Sequence, residues 1–473
     1  MEIYFPSVKW TRYDSFLANT PYLKQALFLP ISSCVLTQLS SGFMTEKSPN
    51  VIIISLDALR ADALGCYGYS RPTSPFLDEI AASGVRFENA TAQASWTLPS
   101  MASLMTSKYP METGMTNFNS RFPDNALRAA EIYKENGYHT AGFITCDFLS
   151  RERGFAEGFD VFEEFLNGAR AEDINQKVFK WLSSYDREKP FFLWIHYFDA
   201  HADYDPPTPY DRSFERSFPN KELGTARHLQ NLLKNGQRLS DEDNEGVRLL
   251  YDQEILYLDS QLRALRDRLK LENALDNTVT VIASDHGEEF LEHDGMLHTT
   301  SLYEELIHVP LILHYPKKVP AGKTVRTPVQ NMDVLPTLLE LCKIDSNHDL
   351  KGKSLLSGVD AQTEENLCFS HLEVSNDGGN YMDWKPSLFK TLYMARKGAD
   401  KIIYDAKQDA YEFYNLQSDP KERFNIYKEN DPNCLELKSA LSEWMNSMKD
   451  SKTDSVEMDP EVLERLEALG YID

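Results

Sequence analysis

The chain is poor in cysteine and has no C-x-x-C pair. Cys34, Cys66, Cys146, Cys342, Cys368 and Cys434 are scattered along 473 residues. That excludes a disulfide framework and a zinc cluster of thiolates, and leaves most of them as free buried thiols. A membrane-spanning run is also missing. The one fairly apolar early stretch, Ala26 to Phe43, is broken by Pro30, Gln38 and several serines, whereas a span needs about 20 predominantly apolar residues. Positive charge is short: 49 basic against 73 acidic side chains give a formal net charge of −24. Nucleic acid and an anionic membrane face are therefore poor general partners. An anionic ligand would need positive charge supplied locally, and a bound metal ion is the direct source. No internal repeat or low-complexity tract is visible.

What is present describes a soluble globular chain, with 42% hydrophobic and 26% charged residues and a length suited to two or three domains. Residues 1–49 read as an N-terminal extension or an export signal. Ile31-Ser32-Ser33-Cys34 resembles a lipoprotein cleavage box. A periplasmic or lipid-anchored location through Cys34 thus stands beside a cytoplasmic one.

From residue 50 the pattern sharpens. Val51–Leu56, Phe191–Phe198, Thr278–Ser284 and Val309–Leu313 are short, continuously apolar runs, as expected of strands buried on both faces of a parallel sheet. His139–Ile144 and Val85–Phe87 read as further strands. Helical patterns lie at Phe76–Gly84, Leu127–Asn136, Val178–Tyr185 and Val247–Leu271, and residues 208–245 read as an irregular surface excursion. Alternating strands and helices predict a doubly wound, mostly parallel α/β domain over 50–345. From 346 to 473, short strands near 392–395, 401–404 and 411–414 and helices at Leu435–Met448 and Pro460–Leu469 predict a smaller α+β domain.

Several apolar runs end in residues that carry chemistry: Asp57, Asp199 with His201, and Asp285 with His286. Carboxyl ends of parallel strands meet along one sheet edge, where open α/β sheets place their sites. Two carboxylates and an imidazole suit Zn²⁺ or Mn²⁺ better than Ca²⁺ or Mg²⁺. In Ser95-Trp96-Thr97-Leu98-Pro99-Ser100, a hydroxyl stands at a helix start with Pro in the first turn. Thr97 is either an ordinary N-cap or a nucleophile beside the positive end of the helix dipole. As a nucleophile it would be the fourth metal ligand, after Asp57, Asp285 and His286. His201 and His298 would then hold a second ion or clamp the substrate's oxygens. Asp199 reads either as a ligand of that second ion or as a loop cap. His196 reads as a core histidine, His293 as a solvated residue between Glu292 and Asp294, and Glu288 as structural support for the site.

These blocks resemble the sulfatase-like branch of the alkaline phosphatase superfamily. The resemblance rests on Val51–Tyr69, the Thr97 block, Asp199-Ala200-His201, Ser284–Glu289, Leu302–Pro310, Asp333–Leu339 and Tyr414–Glu422, in the family's order. It implies a metal-dependent hydrolase of small anionic esters. Five positions depart from the pattern of true sulfatases. Thr97 replaces the Cys or Ser that becomes formylglycine, and Met101 replaces the signature Arg. Thr145 or Cys146 stands where a helper Lys is expected, Ala58 where a second Asp follows the first, and His286 where Asn is common. A Thr nucleophile with an Asp-His pair and a His twelve residues later is similar instead to the family's phosphotransferases and phosphodiesterases. The expectation is cleavage of phosphate or sulfate esters through a threonine alkoxide. A phospho-head-group transferase and a degenerate binding protein are the alternatives.

Overall fold

The computed structural model describes residues 47–455 apart from 167, 215–217, 219, 346–347, 361–365, 375–389 and 449–453. Cys34 and the expected helix at Pro460–Leu469 fall outside the described residues. The described residues from Ser48 onward form one compact unit.

The large sheet contains β1 (Asn50–Leu56), β2 (Val85–Thr91), β3 (His139–Ile144), β4 (Val161–Glu164), β5 (Phe191–Tyr197), β6 (Thr278–Ser284), β7 (His308–His314), β8 (Lys323–Val325) and β9 (Val329–Gln330). Its order is β8-β2-β7-β6-β1-β5-β3-β4, with β9 also pairing β2. β6, β1, β5, β3 and β4 run parallel; β7 runs antiparallel to both its neighbours. This is the doubly wound, mostly parallel sheet expected from the apolar runs. Helices cover both faces, because strands buried on both sides need apolar cover on both. One face packs against α1 (Pro75–Ser83), α3 (Ala171–Leu182) and the long α4 (Asp241–Leu271). The other packs against α2 (Thr97–Thr106) and α5 (Val334–Cys342).

The central trio β6-β1-β5 sets the site. Leu56 pairs with Tyr197 on one side and Ser284 on the other, so Asp57, Asp199 and Asp285 leave the sheet along the same edge.

Two parts differ from expectation. Residues 208–245 are not wholly irregular: they hold a helix at Ala226–Asn235, capped by Thr225, and the first residues of α4. α4 is capped by Ser240, whose hydroxyl accepts from Asp243 N–H, and three acidic residues fill its first turn, a favourable match to the helix dipole. The polar composition that reads as a loop is that of a solvent-facing first turn.

The C-terminal region forms a four-stranded antiparallel sheet, Leu367–Val374, Lys390–Lys397, Asp400–Asp405 and Ala410–Asn415. α6 (Pro432–Ser447) lies on it, with Trp444 stacked on Phe369 at 4.8 Å. Its first strand meets the chain that leads to Thr97: Ser370 Oγ donates to Ala92 O, and His371 N–H to Gln93 O at 2.9 Å. Cys66, Cys146, Cys342, Cys368 and Cys434 are free thiols. Among the described residues no helix is long and apolar enough to cross a membrane.

Candidate active site

The sheet edge gathers Asp57, Asp285 and His286, whose ligating atoms lie within 4.8 Å of one another. Each is held by its local chain. Asp57 follows β1, its N–H bonded to Tyr197 O at 2.9 Å. Ala58 then turns through the left-handed region (φ 53°), and its N–H reaches Asp285 Oδ1 at 3.2 Å. His286 N–H donates to the same oxygen at 2.8 Å. The His286 ring bonds Gly287 O through Nδ1 at 2.8 Å, which fixes Nδ1 as the donor and turns Nε2 to the cluster. That Nε2 lies 3.4 Å from Asp57 Oδ1, 3.5 Å from Asp285 Oδ2 and 3.3 Å from Thr97 Oγ1.

Thr97 is the first residue of α2, not its N-cap. Trp96 holds the cap position in extended conformation, and no side chain caps the helix. The helix is buried throughout, and Ser100 Oγ ties it to Asp285 O at 2.6 Å. The first turn therefore keeps its dipole and backbone donors for what lies beside Thr97.

His298 and His201 stand next in line. Ring centroids are 4.3 Å apart for His286 and His298, and 4.9 Å for His298 and His201. Glu288 braces His298, with 2.9 Å between Nδ1 and Oε1, and its other oxygen accepts from Tyr204 OH at 2.8 Å. His201 Nδ1 donates to Ala202 O at 2.5 Å, and Phe198 stacks on the ring.

Asp199 is not brought to these histidines. Its Oδ1 accepts Ala171 N–H at 3.0 Å, at the start of α3, and the charges acting on it are those of Arg170 and Asp173. Through Oδ1 it caps that helix, one of the two readings open from the sequence, while its Oδ2 is buried without a hydrogen-bond partner. His293 is not solvated: its Nδ1 pairs with Glu305 at 2.5 Å and its Nε2 donates to Glu422 O at 3.1 Å.

His196 is the residue missed. Its Nε2 lies 3.5 Å from Asp57 Oδ2, and its Nδ1 is 3.0 Å from Thr145 Oγ1. The helper-Lys place is filled by Thr145 and Cys146, the latter a buried thiol pushed up by burial and by the Asp57 charge. Arg60, the nearby guanidinium, is spent on Asp62, Glu292 and Glu288 O at 2.6–2.8 Å.

Burial alone would raise the Asp57 pKa, but the rings of His286, His201 and His196 hold it below the usual carboxylate range. Burial and the Asp57 charge push Asp285 up. Burial would lower His286, yet Asp285 and Asp57 raise it to about 9. Burial and the His286 charge drive His298 well below its ordinary value, and burial lifts Glu288 to about 7. Both Asp57 oxygens and Asp285 Oδ2 are buried without a hydrogen-bond partner. Buried carboxylate oxygens are rarely left so. Two such groups facing an imidazole nitrogen fit a divalent cation.

A family model described as "Sulfatase" matches residues 49–344, and one described as "N-sulphoglucosamine sulphohydrolase, C-terminal" matches 292–451. The chain belongs to the sulfatase family. Membership places it in a family of ester hydrolases that generally use a divalent metal. Among curated relatives, it is 24% identical to the N-acetylglucosamine-6-O-sulfatase of Bacteroides thetaiotaomicron, over 91% of this chain and 92% of the relative. It is 22% identical to the arylsulfatase of Clostridium perfringens, over 80% and 90%. Among solved structures, an enzyme in complex with its substrate D-glucosamine-2-N,6-O-disulfate superposes with a TM-score of 0.71 at 22% identity, covering 87% of this chain and all of that one. The phosphonate monoester hydrolase of Agrobacterium radiobacter gives 0.67 at 20% identity, with the same coverage. Both likenesses are of fold.

Proposed function

We propose that this sulfatase-family chain is a metal-dependent hydrolase that moves the sulfuryl or phosphoryl group of a small ester onto Thr97 Oγ1 and then to water. The observation that carries this is the set of partnerless oxygens on Asp57 and Asp285, facing a His286 nitrogen 3.3 Å from the Thr97 hydroxyl. Asp57, Asp285, His286 and Thr97 would hold the ion. A bound Zn²⁺ or Mn²⁺, the ions this donor set suits best, would ease deprotonation of a neighbouring hydroxyl and offset the anionic charge of the ester.

The chain's own residues supply the rest. Thr97 Oγ1 attacks sulfur or phosphorus from the uncapped start of α2, where backbone donors and the dipole favour the anion that develops. The bond to the ester oxygen breaks, and that oxygen departs on the side of His201 and His298 and ends with the proton that Thr97 Oγ1 gives up, so the alcohol is released neutral. Glu288 orients the His298 ring through Nδ1, and in the second half-reaction water adds to sulfur or phosphorus, one of its protons returning to Thr97 Oγ1 and the other leaving with the inorganic anion.

The test is a panel of nitrophenyl sulfate, phosphate, phosphodiester and phosphonate with Zn²⁺, Mn²⁺, Mg²⁺ and Ca²⁺. Thr97→Ala is expected to lower kcat by more than about 10³-fold, as removal of a nucleophile does, with metal content retained by elemental analysis. Asp285→Asn and His286→Ala are expected to lower metal content. Undiminished turnover by Thr97→Ala removes the nucleophile from this reading, and unchanged metal in both other variants removes the ligand set.

A further inference from the structure

Three successive backbone N–H groups follow Asp57, and each is taken by a side chain. Ala58 N–H reaches Asp285 Oδ1 at 3.2 Å, Leu59 N–H reaches Ser284 Oγ at 3.1 Å, and Arg60 N–H reaches Tyr251 OH at 2.9 Å. Ser284 Oγ in turn donates to His286 O at 2.7 Å, and Tyr251 OH donates to Ala58 O at 2.9 Å. Each hydroxyl therefore accepts from one backbone group and donates to another, which fixes its role. Asp285 and Ser284 belong to the end of β6, beside the proposed ligands. Tyr251 comes from α4, which supplies no ligand.

The turn from Ala58 to Arg60 needs such a brace. Ala58 has φ 53°, a left-handed conformation that a residue with a Cβ keeps only where it is held. Its side chain carries no ligating group, so this turn serves the site through its shape. Tyr251 OH joins the carbonyl of Ala58 to the N–H two residues on and closes the turn across its mouth. Without that hydroxyl, Ala58 O and Arg60 N–H lose their partner in a buried place, a costly state. The turn is relieved by leaving the left-handed region, which shifts the peptide between Asp57 and Ala58 and with it the Asp57 oxygens. The tyrosine itself has no slack. Its ring is fully buried, 5.8 Å from Tyr204 and 5.1 Å from Phe290 between centroids, and the Arg60 side chain is pinned to Asp62 and Glu292.

Resting on the metal-dependent reading above, we propose that Tyr251 is a positioning residue of the metal centre. Its hydroxyl holds the turn after β1 in the one shape that sets Asp57 against Asp285 and His286, so the affinity for the ion is set in part from a helix that touches no ligand side chain of the centre.

Metal affinity reads this without relying on turnover. Metal-free wild type, Tyr251→Phe and Tyr257→Phe are titrated with Zn²⁺ against a competing chelator, and with Co²⁺ followed by visible absorption. Tyr257 is the control for loss of a hydroxyl: it is also a buried tyrosine of α4 that takes a backbone N–H, but that of Glu172 in α3, at 3.3 Å. Tyr251→Phe is expected to raise the Zn²⁺ dissociation constant about 10- to 100-fold, the usual scale for a partner that orients metal ligands, and to alter the Co²⁺ spectrum. Tyr257→Phe is expected to leave both unchanged. Ala58→Gly added to Tyr251→Phe is expected to recover about threefold in affinity, since glycine keeps positive φ without a brace. Tyr251→Phe binding Zn²⁺ like the wild type, Tyr257→Phe losing as much, or no recovery with Ala58→Gly overturns the proposal. Thermal melting of the metal-free proteins checks folding; if Tyr251→Phe is unfolded, the double variant is compared with Ala58→Gly alone in the same titration. Wild type that takes up neither ion overturns the metal-dependent reading and this proposal together. Wild type that binds Zn²⁺ yet turns over no ester in the panel overturns the hydrolase reading and leaves the role of Tyr251 standing.

Discussion

His298 sits on a loop whose own backbone does little to aim it. Leu297 and Thr299, on either side, both have positive φ (65° and 67°), a conformation that non-glycine residues keep only where the surroundings impose it. Glu288 is what sets the ring, taking His298 on one oxygen and Tyr204 OH on the other. Glu288→Ala is therefore expected to lower kcat/KM about 10- to 100-fold, the usual scale for a partner that orients a site histidine. Metal content is expected to hold, and Glu288→Gln to restore part of the loss because its amide oxygen still accepts. Equal activity in Glu288→Ala would show that His298 needs no such brace. At this scale the strand-end residues could be read from the sequence, since Asp57 and Asp285 each close an apolar run. His196 could not. It sits inside such a run, where alternation says only that it is buried, and its role lies in register: Ser55 pairs with His196, which sets the imidazole beside the residue that follows Ser55 and Leu56. His293 misleads for a similar reason. Its sequence neighbours are acidic and exposed in pattern, while its partners Glu305 and Glu422 are distant in the chain.

Among the helices, two long-range caps replace the local ones that a sequence scan looks for. Asp259, on α4, accepts from the N–H groups of Phe76 and Leu77 at the start of α1, at 2.8–3.1 Å. Asp199 does the same for α3 through Ala171. A cap supplied from another element leaves no motif near the helix it serves, and so Val178–Tyr185 marks only the later part of a helix that begins at Ala171. Asp199→Ala is expected to cost about 1 kcal/mol, the typical loss for a cap, seen as a melting temperature lower by a few degrees. Metal content and kcat are expected to be unchanged. A parallel loss of metal would instead put Asp199 with a second ion beside His201 and His298. The strands were the legible elements, because burial on both faces writes an unbroken apolar run. The polar first turn of α4 and the short strands β4 and β8 write no such signal.

Across the whole molecule, the switch of pattern after residue 345 marks a change from parallel to antiparallel sheet, but not how the two sheets are joined. Buried charge joins them. Lys401, fully buried in the C-terminal sheet, bonds Glu304 at 2.9 Å and Glu422 at 2.8 Å, and Arg396 adds a second contact to Glu304 at 3.1 Å. His293 extends the junction, paired with Glu305 and donating to Glu422 O, so the loop that carries His293 and the C-terminal sheet share one set of contacts. Partners this far apart in sequence leave no local trace, since each is an ordinary charged residue in its own segment. The junction does leave a pH signature. Burial would lower the His293 pKa, but the Glu305 carboxylate raises it to about 9, above the value of about 6.5 for a histidine in an unfolded chain. The folded state thus holds this proton more tightly than the unfolded state does. Its stabilising share is complete below pH 6.5, shrinks as pH rises from there, and is gone once pH passes 9. His293→Gln is expected to lower the melting temperature most at pH 6 and progressively less at pH 8 and 9.5. A difference between the two proteins that stays flat across that range would mean the His293–Glu305 pair carries no charge in the folded protein, and that the loop and the sheet are held by Lys401 and Arg396 alone.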